Sequence, residues 1–134
     1  MSTMLRLPDL ALGELERDVL EALWELGPLN PGAVHERVGG PRGISVNTVS
    51  SALKRLCDKE LLAREKVSHA YVYRPTVTRA ELQRQMLGGI AHQFGDEGSA
   101  GFLAAFVDLA EQSGDDTLRR LERMIAERLA CEDS

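Results

Sequence analysis

The side chains best equipped for chemistry in this chain lie between Ile44 and Leu61. Asn47, Thr48, Ser51, Lys54 and Arg55 recur at spacings of three and four, so on a helix they share one face, and all of them donate hydrogen bonds. Val49, Leu53, Leu56 and, beside them, Ala52 fall on the opposite face. Ser45 stands where an N-cap belongs, its hydroxyl able to satisfy the first unpaired backbone N–H groups. A helix with an apolar back and a short-chained, donor-rich front suits the DNA major groove, whose base edges and flanking phosphates accept such donors. The same pattern also describes an ordinary amphipathic surface helix. The rest of the chain has to decide between them.

Catalytic chemistry finds little support. His35, His69 and His92 lie on different elements with no Asp, Ser or Cys arranged around them as a triad or metal set. His35 falls on the polar side of its helix and reads as a solvated histidine. Gly88-Gly89 sits within a helical pattern, where it permits close packing or a kink, and is no phosphate-binding loop. No enzyme, cofactor or metal site is expected.

At 134 residues, with 43% apolar and only 4% aromatic residues, the chain can form one domain with a core, or a small domain plus an assembly arm. No run of 18 apolar residues occurs, and no basic stretch leads into an apolar one at the N-terminus, so a cytoplasmic protein without membrane insertion is expected. Cys57 and Cys131 are far apart, which speaks for reduced thiols rather than a disulfide framework.

The net charge of −5 looks wrong for a nucleic-acid binder until it is divided by position. Residues 37–74 carry eight basic groups against three acids, a local +5, whereas residues 1–36 and 76–134 each carry −5. Attraction to phosphate acts through the local face, not the total.

The elements that must position the donors can be read in order. Leu12, Leu15, Val19, Leu20, Leu23 and Leu26 make one helical stripe with Trp24 beside it, while Glu14, Arg17, Asp18, Glu21 and Glu25 face water; Gly27-Pro28 ends the helix. Asn30-Pro31 opens a second helix with Ala33, Val34 and Val38 inward, ended by Gly39-Gly40-Pro41. Arg42-Gly43-Ile44 then reads as a short extended link with room for a β-bridge. After the donor-rich helix the period becomes two: Ala63–Val67 and Ala70–Arg74 alternate like strands, with Ser68-His69 at the turn and Pro75 closing the pair. Tyr71 and Tyr73 share one strand face and are expected on the core.

Three helices followed by a basic hairpin is the winged helix-turn-helix order, in which the third helix enters the major groove and the hairpin runs beside the phosphates. Arg64, Lys66 and His69 stand where such a wing would need them. The remainder is helical. Thr78-Arg79-Ala80-Glu81 matches a capping box, and Leu82, Met86, Ile90 and Phe94 follow every four residues. A second run holds Phe102, Leu103, Phe106, Leu109 and Ala110. A third carries Leu118, Leu121, Ile125 and Leu129 inward, with Arg119, Arg120, Arg123 and Arg128 out. These stripes have too little surface of their own to bury one another and are expected to pair with a second copy across a two-fold interface, the alternative being that they fold back on the winged domain. The expected fold is therefore mainly α with a small β-hairpin: a winged helix-turn-helix domain over residues 1–75 and a C-terminal helical dimerisation segment over residues 76–134.

Leu12–Trp24, the Thr48-Val-x-Ser-x-Leu-x-Arg-Leu-x-x-Lys59 helix and the Tyr71-x-Tyr73 strand together resemble the penicillinase repressor (BlaI/MecI) family over residues 10–130. The resemblance implies a homodimeric winged-helix repressor on palindromic double-stranded operators. It further implies release when a membrane metalloprotease receptor senses β-lactam and the repressor is cut before a Phe-Val pair. The matching bond here is Ala105–Phe106; Ala105 stands where some members have Asn. The family's copper-responsive branch carries repeated C-terminal Cys-x-Cys pairs, and Cys131 alone supplies too few soft ligands for that. Carried over position by position, Asn47, Thr48, Ser50 and Ser51 would read bases, while Ser45, Lys54 and Arg55 would hold phosphate. For Arg55 a salt bridge to a nearby acid is the competing role. The rival to the whole reading is a winged-helix protein-interaction module that never touches DNA.

Overall fold

The computed structural model describes residues 12–94 and 98–132. Chain contacts divide it into two units, Met1–Ile90 and Ala91–Ser134.

In the first unit, helix α1 (Glu14–Leu26) buries Val19, Leu20, Ala22 and Leu23, the inward line of its stripe. Gly27 (φ 87) ends it by returning its N–H to the Leu23 carbonyl at 2.9 Å. Leu26, expected on the stripe, is half exposed, because the stripe turns away from the core in the last turn. Trp24 packs against the core edge, and its Nε1–H donates to the Val77 carbonyl at 2.9 Å.

Helix α2 is composite: an α segment Pro31–Val34, a π turn His35–Gly39 and a last turn Gly40–Arg42. Asn30 caps it, its side chain accepting from the Ala33 N–H at 2.8 Å. Gly39-Gly40-Pro41 therefore does not end the helix. In a regular α-helix the Pro41 ring would collide with the carbonyl four residues back, and the widened turn makes room for it. Gly43 (φ 71) is the actual stop: Arg42 is still helical and Gly43 left-handed, so the expected extended link shrinks to Ile44 and Ser45. The isolated β-bridge lies elsewhere, between Leu29 and Tyr73. His35 is not a solvated histidine either. It is half-buried, with Nε2 2.8 Å from the Ile44 carbonyl, tying the widened turn to the residue that leads into the next helix.

Helix α3 (Val46–Asp58) places Val49, Ala52, Leu53 and Leu56 at zero exposure against α1 and α2. Strands β1 (Leu62–Val67) and β2 (Ala70–Pro75) form an antiparallel hairpin, with Val67 opposite Ala70 across the Ser68-His69 turn. Ser68 has φ 58, as expected at the first position of a tight two-residue hairpin turn. Tyr73 is buried, whereas Tyr71 is not in the core. The hairpin projects past the apolar layer, so residues nearer its tip meet solvent whatever their alternation. Helix α4 (Arg79–Phe94) starts at Thr78, whose Oγ1 accepts from the Glu81 N–H at 3.1 Å, and returns Leu82 and Met86 to the same core.

In the second unit, helices α5 (Ala100–Gln112) and α6 (Asp115–Glu132) pack on each other, with Gly114 (φ 116) between them. Phe102 and Phe106 meet edge to face, ring centroids 5.0 Å apart. Neither helix has a buried residue. Leu103, Val107, Leu109, Met124, Ile125 and Leu129 are exposed, while Leu118 and Leu121 are half-buried. The side chain of Phe94 lies outside the described residues.

Candidate nucleic-acid interface

The front of α3 is the candidate surface. Its fully buried back fixes which way the front looks: Asn47, Thr48, Ser51, Lys54 and Arg55 are all exposed, and Ser50 is half-buried at the edge. Ser45 caps the helix, its Oγ accepting from the Thr48 N–H at 3.2 Å and lying 3.1 Å from Thr48 Oγ1. Ser51 donates its hydroxyl to the Asn47 carbonyl at 3.1 Å, so toward solvent it offers lone pairs. Among the described residues the Asn47 amide has no internal partner, which leaves both its donor and its acceptor open. An open amide is what bidentate recognition of adenine needs.

The sequence reading overlooked Val46, which is 42% exposed in the first turn of α3, one helical turn before Ser50. An apolar side chain among donors is the group that can meet a thymine methyl. Its signal in the sequence was an aliphatic residue breaking the polar front at the cap.

The local +5 is more subdivided than counting suggests. Four of its basic groups are bound to acids of α1: Arg37 to Glu25 at 3.0 Å, Arg42 to Asp18, Arg55 to Glu16 at 3.3 Å and Lys59 to Glu16 at 2.6 Å. Asp18 and Glu25, expected to face water, thus anchor α2 to α1, and Glu16 anchors the α3 side. Among the described residues Lys54, Lys66 and Arg74 have no acidic partner, and Lys66 and His69 are exposed near the hairpin tip. Arg64 also lacks one; its guanidinium carbon lies 4.4 Å from the Tyr71 ring centroid, a cation–π contact that keeps the charge outward on the hairpin.

Cys57 is half-buried, and burial pushes its thiol above the usual value, with Arg64 opposing. Cys131 is exposed; among the described residues no group of His, Cys, Asp and Glu could hold a metal ion. Nor, among the described residues, is any helix long and apolar enough to cross a membrane.

A helix-turn-helix whose second helix shows an open polar front, followed by a two-stranded wing, defines the winged-helix class of fold. The penicillinase repressor family model matches residues 12–127, and the chain belongs to that family. It is 34% identical to the transcriptional regulator BlaI of Mycobacterium tuberculosis over 117 residues, 87% of this chain and 83% of that one. The solution structure of the DNA-binding domain of the repressor BlaI superposes with a TM-score of 0.50 at 21% identity, covering 60% of this chain and 93% of that domain. The transcriptional regulator Tm0710 from Thermotoga maritima matches with a TM-score of 0.50 at 17% identity, over 95% of this chain and 80% of its own. These last two likenesses are of fold.

Proposed function

We propose that this repressor acts in the cytoplasm as a homodimer on palindromic operators, placing one α3 in each of two major grooves roughly 34 Å apart. The exposed, donor-bearing front of α3 against its fully buried back carries the reading. Asn47, Thr48, Ser50 and Ser51 read base edges; Ser45, Lys54, Arg55 and the wing groups Arg64, Lys66 and His69 hold phosphate. The apolar surface on α5 and α6 is the dimer interface. A groove of 470 Å³ lined by Phe106, Leu109, Leu121 and Met124 offers a second copy somewhere to seat a side chain. Ile90, Ile125 and Leu129, exposed in one copy, support the same role, as do Phe102 and Leu118. Met86 packs on the winged core instead, which leaves less of it for a partner.

Asn47→Ala or Thr48→Ala should cost roughly 1–3 kcal/mol on the operator and much less on random DNA. Equal losses on both would refute the base-reading role. A gel shift against the upstream region of the chain's own gene, run at two salt concentrations, tests DNA binding itself. Affinity should fall with salt at a log–log slope of about −0.9 per phosphate neutralised. A salt-independent or absent shift would favour the rival, a protein-interaction module.

Release by a membrane metalloprotease cutting Ala105–Phe106 fits this scheme, since loss of the dimer removes the second anchor. The bond lies inside α5, so cutting it requires local unwinding of that helix.

A further inference from the structure

Glu16 is the only charged side chain buried among the described residues, at 8% exposure, and it lies directly under the phosphate side of α3. Its Oε2 accepts from Lys59 Nζ at 2.6 Å and its Oε1 from Arg55 Nε at 3.3 Å. A buried carboxylate is costly unless paired, and Lys59 already supplies the closer cation. The bond to Arg55 is therefore not needed for neutralisation. It pins one edge of a planar guanidinium whose side chain is 50% exposed. Among the described residues neither Nη group of Arg55 has a partner. The Nη pair is the edge that grips a phosphate bidentately.

We infer that Glu16 is a positioning residue: by holding Arg55 through Nε, it presents both Nη groups to a backbone phosphate of the bound DNA. The inference rests on the DNA-binding reading above. It opposes simple electrostatics in sign, because a carboxylate beside a phosphate contact repels the phosphate, and its removal by charge alone would tighten binding.

The test uses the full chain and a duplex that the wild-type protein selects from a randomised library, with a scrambled duplex alongside. Both are titrated by fluorescence anisotropy at several salt concentrations. Arg55→Ala should weaken the selected duplex about tenfold and lower the salt slope by about one. Glu16→Gln should weaken it several-fold, with no further loss in the Arg55→Ala background. Binding by Glu16→Gln equal to or tighter than wild type, or an equal loss in both backgrounds, overturns the inference. Arg55→Lys gives a check that does not depend on Glu16→Gln folding. It keeps the charge but has no second edge, so it should bind the selected duplex as weakly as Arg55→Ala, and wild-type binding by it also overturns the inference. If the wild type selects no duplex, the DNA-binding reading itself falls, and this inference with it.

Discussion

Replacing Leu109 and Ile125 together by aspartate should leave a folded protein that sediments as a monomer and binds its operator about 10²–10⁴-fold more weakly. Both side chains are more than half exposed in the single copy, at 59% and 51%, so the changes remove little packing from the protomer. In a dimer each would bury a carboxylate against apolar surface, at a cost that its pKa or its interface must absorb. With one α3 per particle the second half-site adds nothing, and only half-site affinity remains, close to non-specific binding. Sedimentation velocity and a gel shift on the same sample check both halves of the result. A dimer that persists, or a monomer that keeps full affinity, would show that α5 and α6 do not couple the two wings.

The second large effect concerns stability. Gly39→Ala should lower the unfolding free energy by about 1–3 kcal/mol, an apparent Tm loss of roughly 4–8 °C per kcal/mol for a domain of this size. A Cβ at Gly39 would lie 2.5 Å from His35 Cδ2 and 2.8 Å from Val49 Cγ2. Neither neighbour yields easily. The His35 ring is held at the Ile44 carbonyl, and Val49 is fully buried under the first turn of α3. Relief must come from moving α3 relative to α2, so operator affinity should fall along with stability. Gly88→Ala is the control: nothing lies within 4 Å of a Cβ there, and a helical alanine should be neutral or stabilising by about 0.5–1 kcal/mol. Thermal unfolding of the two variants separates a steric requirement from general intolerance of change.

Much of the recognition element was legible because its signals are local. The Ser45 cap, the three-and-four spacing of the front and the switch to period two at the hairpin each depend on residues a few positions apart. The same holds for the helix stop at Gly27 and the cap at Thr78. The second helix was misjudged because Gly39-Gly40-Pro41 is a breaker by propensity. Packing of Gly39 against Val49 and the widened turn around Pro41 overrode that propensity. Tyr71 was misplaced because alternation says which face a residue takes. It does not say how far along the strand the core extends.

Charge showed the largest gap between composition and structure. The sign and position of the basic segment could be counted, but the four pairings to α1 join residues 12 to 43 positions apart in the chain. Glu16 passed unnoticed for that reason, since in sequence it is one acid among several. By itself, then, the sequence determined the family, the order of elements and the exposed donor-rich face of α3, because period and capping act over one or two turns. Only the tertiary structure decided which cations remain available to a phosphate, since that depends on which acids folding brings within hydrogen-bond reach.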